Sequence, residues 1–285
     1  MQPWEIVLER FAEFGRAPTK EKYLAQFDPA MTLFHPGMAA PIGLDQIPEF
    51  IDKSLSQWTD YRHTPIYWAV NGETMFVETA NSAQVGDRKL TWSQSNIMTI
   101  KGEHIVRGRS NYDRAEVFAQ VDPAGPAKPN AHVTLLDGAT PMGASASDDG
   151  SYVARLEEAF VRPYIENWKH PHPQRFKDFY ASGARMINPG FERAIGPDEL
   201  AEFYINQQAD HPGVNMRLEN WAAAPGGVLF FEWAAQREVG GRLFEFPVVD
   251  RFRLNDMLAV DAVAYYDLMS LEKLVLEVRA LETAA

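Results

Sequence analysis

Leu33-Phe34-His35-Pro36-Gly37 and Met186-Ile187-Asn188-Pro189-Gly190 carry one pattern, two apolar residues, a polar one and Pro-Gly, 153 positions apart. At that offset Ile42-Gly43 falls on Ile195-Gly196, Asp45 on Asp198, Glu49-Phe50 on Glu202-Phe203 and Trp68 on Trp221. Farther on the offset becomes 154: Met75-Phe76-Val77-Glu78 meets Leu229-Phe230-Phe231-Glu232, and Tyr112-Asp113 meets Tyr266-Asp267. Landmarks in one order, with a single slip at a hairpin, read as a tandem duplication. Residues 1–120 and 151–285 are the two expected copies. Between them, 121–150 carries Pro123, Pro126, Pro129, Pro141, Gly125, Gly138, Gly143 and Gly150, punctuation that reads as a linker.

Length and composition fit this division. The 285 residues suffice for two ordinary domains, and 46% hydrophobic with 23% charged residues is a soluble globular profile. A formal charge of −12 repels phosphate backbones, which argues against a nucleic-acid partner. With no cysteine, disulfides, thiolate metal sites and cysteine nucleophiles are excluded. The start, MQPWEIVLERF, does not read as a secretory signal, and no stretch has the roughly 18 apolar residues of a membrane span. The expectation is a cytoplasmic protein.

Within one copy, Trp4, Val7, Leu8, Phe11 and Phe14 recur at helical spacing, which predicts a helix over 4–15. Thr19 caps a short second helix through Phe27, a brief strand covers 31–34, and a helix runs from Asp45 to about Trp58. Four strands follow near 61–70, 73–84, 89–100 and 104–113, split by Asn71-Gly72, Gly86-Asp87 and Lys101-Gly102. The second copy repeats this order, with a kink expected at Pro163. The fold class is α+β: two cones, each a curved antiparallel sheet with about three helices on its concave face.

This order of landmarks resembles the nuclear transport factor 2-like superfamily, which includes SnoaL-like cyclases and ketosteroid isomerase-like enzymes. The motifs that carry the resemblance are Asn188-Pro189-Gly190 through Gly196 to Tyr204, and Val248 to Leu254 followed by Ala264-Tyr265-Tyr266-Asp267. In the isomerases an aspartate before the proline is the base; His35 and Asn188 stand there. The helix tyrosine of their oxyanion hole falls on Tyr164 and Phe11, the sheet aspartate on Asp250 and Asn96, and a supporting tyrosine on Tyr204 and Ile51. Neither copy has the full isomerase set, so steroid isomerisation is not expected.

Strand alternation places Trp92, Gln94 and Asn96 on one face, with Thr79, Asn81, Ser110 and Tyr112 on neighbouring strands. With His35 they form a polar patch that either meets a ligand or satisfies itself. In the second copy Asp250 shares its face with Val248 and Phe246, with Trp233 and Arg237 on the adjacent strand. There Asp250 is either a neutral donor to an oxyanion, alongside Tyr164, or an arginine's ion-pair partner. Phe11, Asn188, Tyr204 and Tyr266 complete the predicted linings. Arg107 and Arg109 face away from the cone. His170-Pro171-His172 lacks a third ligand at a telling spacing, and the glycine pairs read as turns, so neither a metal nor a cofactor is expected.

Two functions are consistent with this. One is a cofactor-independent lyase or isomerase acting by proton abstraction on a small apolar, aromatic or cyclic metabolite, with elimination, isomerisation or aldol-type bond change. The other is a non-catalytic small-molecule-binding or assembly module. The copies are expected to pair as an intrachain pseudo-dimer, with homo-oligomerisation open.

Overall fold

The computed structural model describes residues 1–121, 136, 138–210 and 212–284. It divides into two compact units, Met1–Ala146 and Ser147–Ala285. In the first, Pro3 opens helix α1 (Pro3–Arg16), where the Glu5 carboxylate accepts from the Gln2 amide at 2.6 Å. The Thr19 hydroxyl caps α2 (Lys20–Leu24) by accepting from the Lys22 amide. This helix stops three residues short of Phe27, because Phe27 already belongs to strand β1 (Phe27–Phe34). Then come β2 (Ile42–Gly43), α3 (Ile47–Gln57), β3 (Thr59–Asn71), β4 (Thr74–Val85), β5 (Arg88–Lys101), β6 (His104–Asn111), α4 (Arg114–Ala119) and β7 (Met142–Gly143).

The sheet order is β2-β1-β6-β5-β4-β3-β7. The sheet is mixed rather than antiparallel: β1 runs parallel to β6, since the chain leaves β1 through α3 and lays β3 to β6 as a meander that ends beside it. Val7 and Phe11 of α1 pack on Met75, Val77, Met98 and Ile100 of β4 and β5. Half of the expected linker, residues 122–135 and 137, lies outside the described residues. Part of the rest belongs to the sheet: Met142 and Gly143 pair with Tyr67 and Trp68, and the Trp68 indole donates to the Ala144 carbonyl at 2.9 Å.

The second unit holds α5 (Ser151–Leu156), a π-turn over Glu157–Val161, α6 (Arg162–Lys169), a 3-10 segment (Pro173–Phe179), β8 (Tyr180–Ile187), α7 (Pro197–Asp210), β9 (Asn215–Ala224), β10 (Val228–Val239), β11 (Arg242–Asn255), β12 (Leu258–Tyr265) and α8 (Leu268–Ala284). Its sheet order is β8-β12-β11-β10-β9, with β8 parallel to β12. The irregularity expected at Pro163 takes the form of the π-turn just before it: proline has no amide hydrogen, and the wider turn accommodates the loss.

The strand frames of the units superimpose in sequence. β1 recurs as β8 at an offset of 153, and β4, β5 and β6 recur as β10, β11 and β12 at 154. The extra residue lies in the turn Pro225-Gly226-Gly227, which replaces Gly72-Glu73. Gly227 has φ +90°, and a Cβ there would strike the Leu254 backbone, whose amide donates to the Gly227 carbonyl at 2.6 Å. Among the described residues no helix is long and apolar enough to cross a membrane.

Candidate functional sites

Each unit has a cavity open to the surface. That of the second unit is the larger, about 510 Å³, within the range of small-molecule sites. One wall is the β11 face of Phe244, Phe246, Val248 and Asp250; Tyr204 of α7, Asn188 and Tyr266 close one side. The alternation of β11 therefore puts Phe246, Val248 and Asp250 on one face. Asp250 is 6% exposed, opposite Phe231 of β10 and Ala264 of β12. Its Oδ2 accepts from the Trp233 indole at 3.0 Å.

No cation among the described residues holds Asp250. Arg237, the expected ion-pair alternative, binds Glu282 of α8 instead, and Arg251 and Arg253 bind Asp261. Removed from water without a counter-charge, the Asp250 carboxyl is pushed up to about 7, against a smaller opposing effect of the Trp233 hydrogen bond. Asp261 shows the converse: burial alone would raise it, but its two guanidinium partners hold it below the usual range.

Tyr204 is 7% exposed and lines the cavity; burial and the neighbouring Asp250 raise its pKa, so the phenol stays a donor at neutral pH. Tyr164, expected beside Asp250 as a catalytic donor, lies outside the cavity lining. It is fully buried in the aromatic core, its ring stacked 5.4 Å from Phe231 and edge-on to Phe252. A helix side chain packed between two sheet phenylalanines cannot also face the mouth. Trp233 likewise is buried outside the cavity lining and meets the site through its indole N–H on Asp250. Asn188 has a buried side-chain oxygen without a hydrogen-bond partner among the described residues.

The first unit has a cavity of about 340 Å³ lined by His35, Trp92, Gln94 and Tyr112, and a pocket of about 60 Å³ lined by Phe11, Asn96 and Ser110 together with His35 and Gln94. The His35 ring lies 5.1 Å from that of Phe50, tilted to it; its buried Nε2 has no partner among the described residues, and burial lowers its pKa to about 4. It is a neutral imidazole at pH 7.

The amide wall is closed on itself. The Gln94 amide donates to Asn96 Oδ1 at 2.6 Å and to Ser110 Oγ at 3.1 Å, and Ser110 Oγ donates to Asn96 Oδ1 at 3.0 Å. Asn81 lines neither space. Its amide donates to the Thr79 hydroxyl and to the Thr79 and Trp92 carbonyls, and the Tyr61 hydroxyl stands over its oxygen at 3.3 Å. Arg107 is exposed and Arg109 half-buried 6.0 Å from the Phe34 ring.

Several lining groups escaped the sequence reading. Tyr61 and His63 share one face of β3; the His63 Nε2 donates to the Phe11 carbonyl at 2.9 Å and its Nδ1 meets the Tyr61 hydroxyl at 3.1 Å. Burial lowers His63 to about 4. In the second unit the missed wall is α8, whose Leu271, Leu274, Val275 and Val278 line the cavity. Their helical spacing was a usable signal.

Residues 161–262 match the family model of the SnoaL-like domain, so the second unit carries a SnoaL-like domain. The nuclear transport factor 2-like reading thus rests on a direct match there and on the repeated strand frame in the first unit. A search of curated proteins finds no match. Solved structures similar to this chain include a ketosteroid isomerase-like protein from Catenulispora acidiphila in complex with trimethylamine (15% identity, 44% of this chain and 96% of that one, TM-score 0.38). Another is an NTF2-like protein of unknown function from Burkholderia pseudomallei (18%, 42% and 98%, TM-score 0.39). A third is an LEH-like epoxide hydrolase of M. tuberculosis (12%, 39% and 84%, TM-score 0.35).

Proposed function

We propose that the second-unit cavity is the active site of a cofactor-independent lyase or isomerase on a small cyclic or aromatic metabolite, with Asp250 moving the proton. The observation that carries this is a buried carboxyl, unpaired with any cation among the described residues, that titrates near 7 in the wall of a mainly apolar cavity. A group with that pKa exchanges a proton in both directions at neutral pH, and positioned proton transfer contributes about 10²–10⁴-fold. Tyr204, protonated and lining the same cavity, supplies a hydrogen bond to a substrate oxygen on which charge develops. Trp233 leaves Asp250 one oxygen free for the substrate by engaging the other. Asn188, where the isomerases carry their base, cannot accept a proton, so Asp250 serves as both acceptor and returning donor.

The test is deuterium incorporation next to the carbonyl of cyclic and aryl ketones in D₂O, followed by NMR, with α-tetralone as the first probe. Wild type and His35→Phe should exchange it alike, and Asp250→Asn about 100-fold more slowly, the lower end of that range. Full activity in Asp250→Asn, or loss confined to His35→Phe, refutes the proposal. The first-unit cavity supports a second reading, ligand binding without chemistry, through the unpartnered His35 Nε2 beside amides that already satisfy one another.

A further inference from the structure

The second-unit cavity has two chemically different ends. Asp250 pairs across with Phe231, and Arg237 lies six residues farther along β10, opposite Phe244. Six residues of strand span about 20 Å. The length between is mainly apolar: Phe246 and Val248 of the sheet and Leu271, Leu274, Val275 and Val278 of α8 line it. At the far end Arg237, Arg279 and Glu282 all line the cavity. Glu282 pairs with Arg237, whose side chain is only 20% exposed; Arg279, on the same last turns of α8, makes no ion pair among the described residues. Two guanidinium groups and one carboxylate therefore line this end; among the described residues the carboxylate pairs with Arg237 and not with Arg279, and it belongs to the chain itself.

We infer, building on the proposed use of this cavity, that its ligand is an elongated apolar acid: a body of two or more rings along the β11–α8 slot, with a carboxylate on Arg237 and Arg279. Glu282 occupies the place of that carboxylate and is an internal competitor for it. Three features carry this. The slot walls offer mainly apolar area to a ligand. A partly buried arginine binds a carboxylate by charge-assisted hydrogen bonds, and one guanidinium N–H of Arg237 already donates to Glu282. The second arginine leaves positive charge that Glu282 does not neutralise. An incoming carboxylate displaces Glu282 and releases the end of α8 from β10, so the ligand enters beside the arginines and presents its ring end to Asp250.

Isothermal titration with biphenyl-4-carboxylate and biphenyl-4-carboxamide tests this without any turnover. At low salt the wild type should bind the acid about 3- to 10-fold more tightly than the amide, the range for partly exposed charged contacts. Glu282→Gln should tighten acid binding about threefold and leave amide binding unchanged. Arg237→Met should erase the preference while retaining the amide, which reports an intact slot. Asp250→Asn should keep the preference, so a failed proton-transfer role and a failed acid site are read separately. Equal binding of the two probes by wild type, no binding of either, or an unchanged acid affinity in Glu282→Gln overturns the inference.

Discussion

Replacing Asp250 by asparagine should stabilise the second unit at alkaline pH, with a size and pH window that follow from one buried carboxyl. The folded group titrates at about 7 against a reference of 3.8. The folded state thus binds this proton more tightly than the unfolded chain does. The stability that the proton supplies is complete below about pH 4, falls as pH rises toward 7 and is gone above it. Three units at about 1.36 kcal/mol each set an upper figure of about 4 kcal/mol. Water entering the cavity screens the charge, so about 2–4 kcal/mol is expected. The asparagine side chain has no titration, keeps an oxygen for the Trp233 indole and closely matches the volume. The difference between the two proteins cancels every group the substitution leaves alone. Hydrogen exchange of the β10 and β11 amides, measured from about pH 4.5 to 8.5 to bracket the titration, reads this unit by itself, which matters because two units need not unfold as one. The Asp250→Asn variant should gain protection relative to wild type as pH rises. A pH-independent difference refutes the reasoning. The opposite slope would signify an arginine ion pair, since a paired carboxylate is most valuable when charged.

Other consequences are equally direct. Trp233→Phe removes the N–H that favours the Asp250 carboxylate, so the midpoint should rise by about one unit, read from the pH profile of exchange activity. Gly15→Ala places a methyl group against the His63 carbonyl and ring, where α1 touches β3; a cost of about 1–3 kcal/mol should appear as a Tm lower by several degrees. His35 and His63 are both held near 4, below their ordinary 6.5, so first-unit stability should be complete above about pH 6.5 and fall with acid through 4. Exchange of first-unit amides at about pH 7 and about pH 4.5 checks this, and His63→Gln should flatten the slope.

The duplication was legible because the residues that repeat are those the backbone requires: Pro36-Gly37 and Pro189-Gly190 after the first strand, and turn residues at fixed offsets. The faces of β5 and β11 were legible too, since side chains on a strand can only alternate, and Trp92, Gln94, Asn96 and Phe246, Val248, Asp250 each share one. Alternation gives a face but not a depth. Tyr164 and Asn81 have the expected side of their elements yet are covered by neighbours, Tyr164 by the aromatic core and Asn81 by Tyr61. The parallel placement of β1 and β8 depends on where a chain returns after a helix, which local pattern does not encode. The ion pair of Arg237 with Glu282 joins residues 45 positions apart, beyond any spacing rule. The charge state of Asp250 was left between two readings because it turns on that partner choice: with Glu282 holding Arg237, the carboxyl has, among the described residues, only an indole.

The most direct test is a carbon-13 NMR titration of the aspartate carboxyl groups, with Asp250→Asn supplying the assignment. A resonance with a midpoint near 7, lost in that variant, is the predicted result. An Asp250 midpoint near its ordinary value of about 4 would mean a carboxylate already charged at every working pH, and would contradict its role as the proton-moving group of the second-unit cavity.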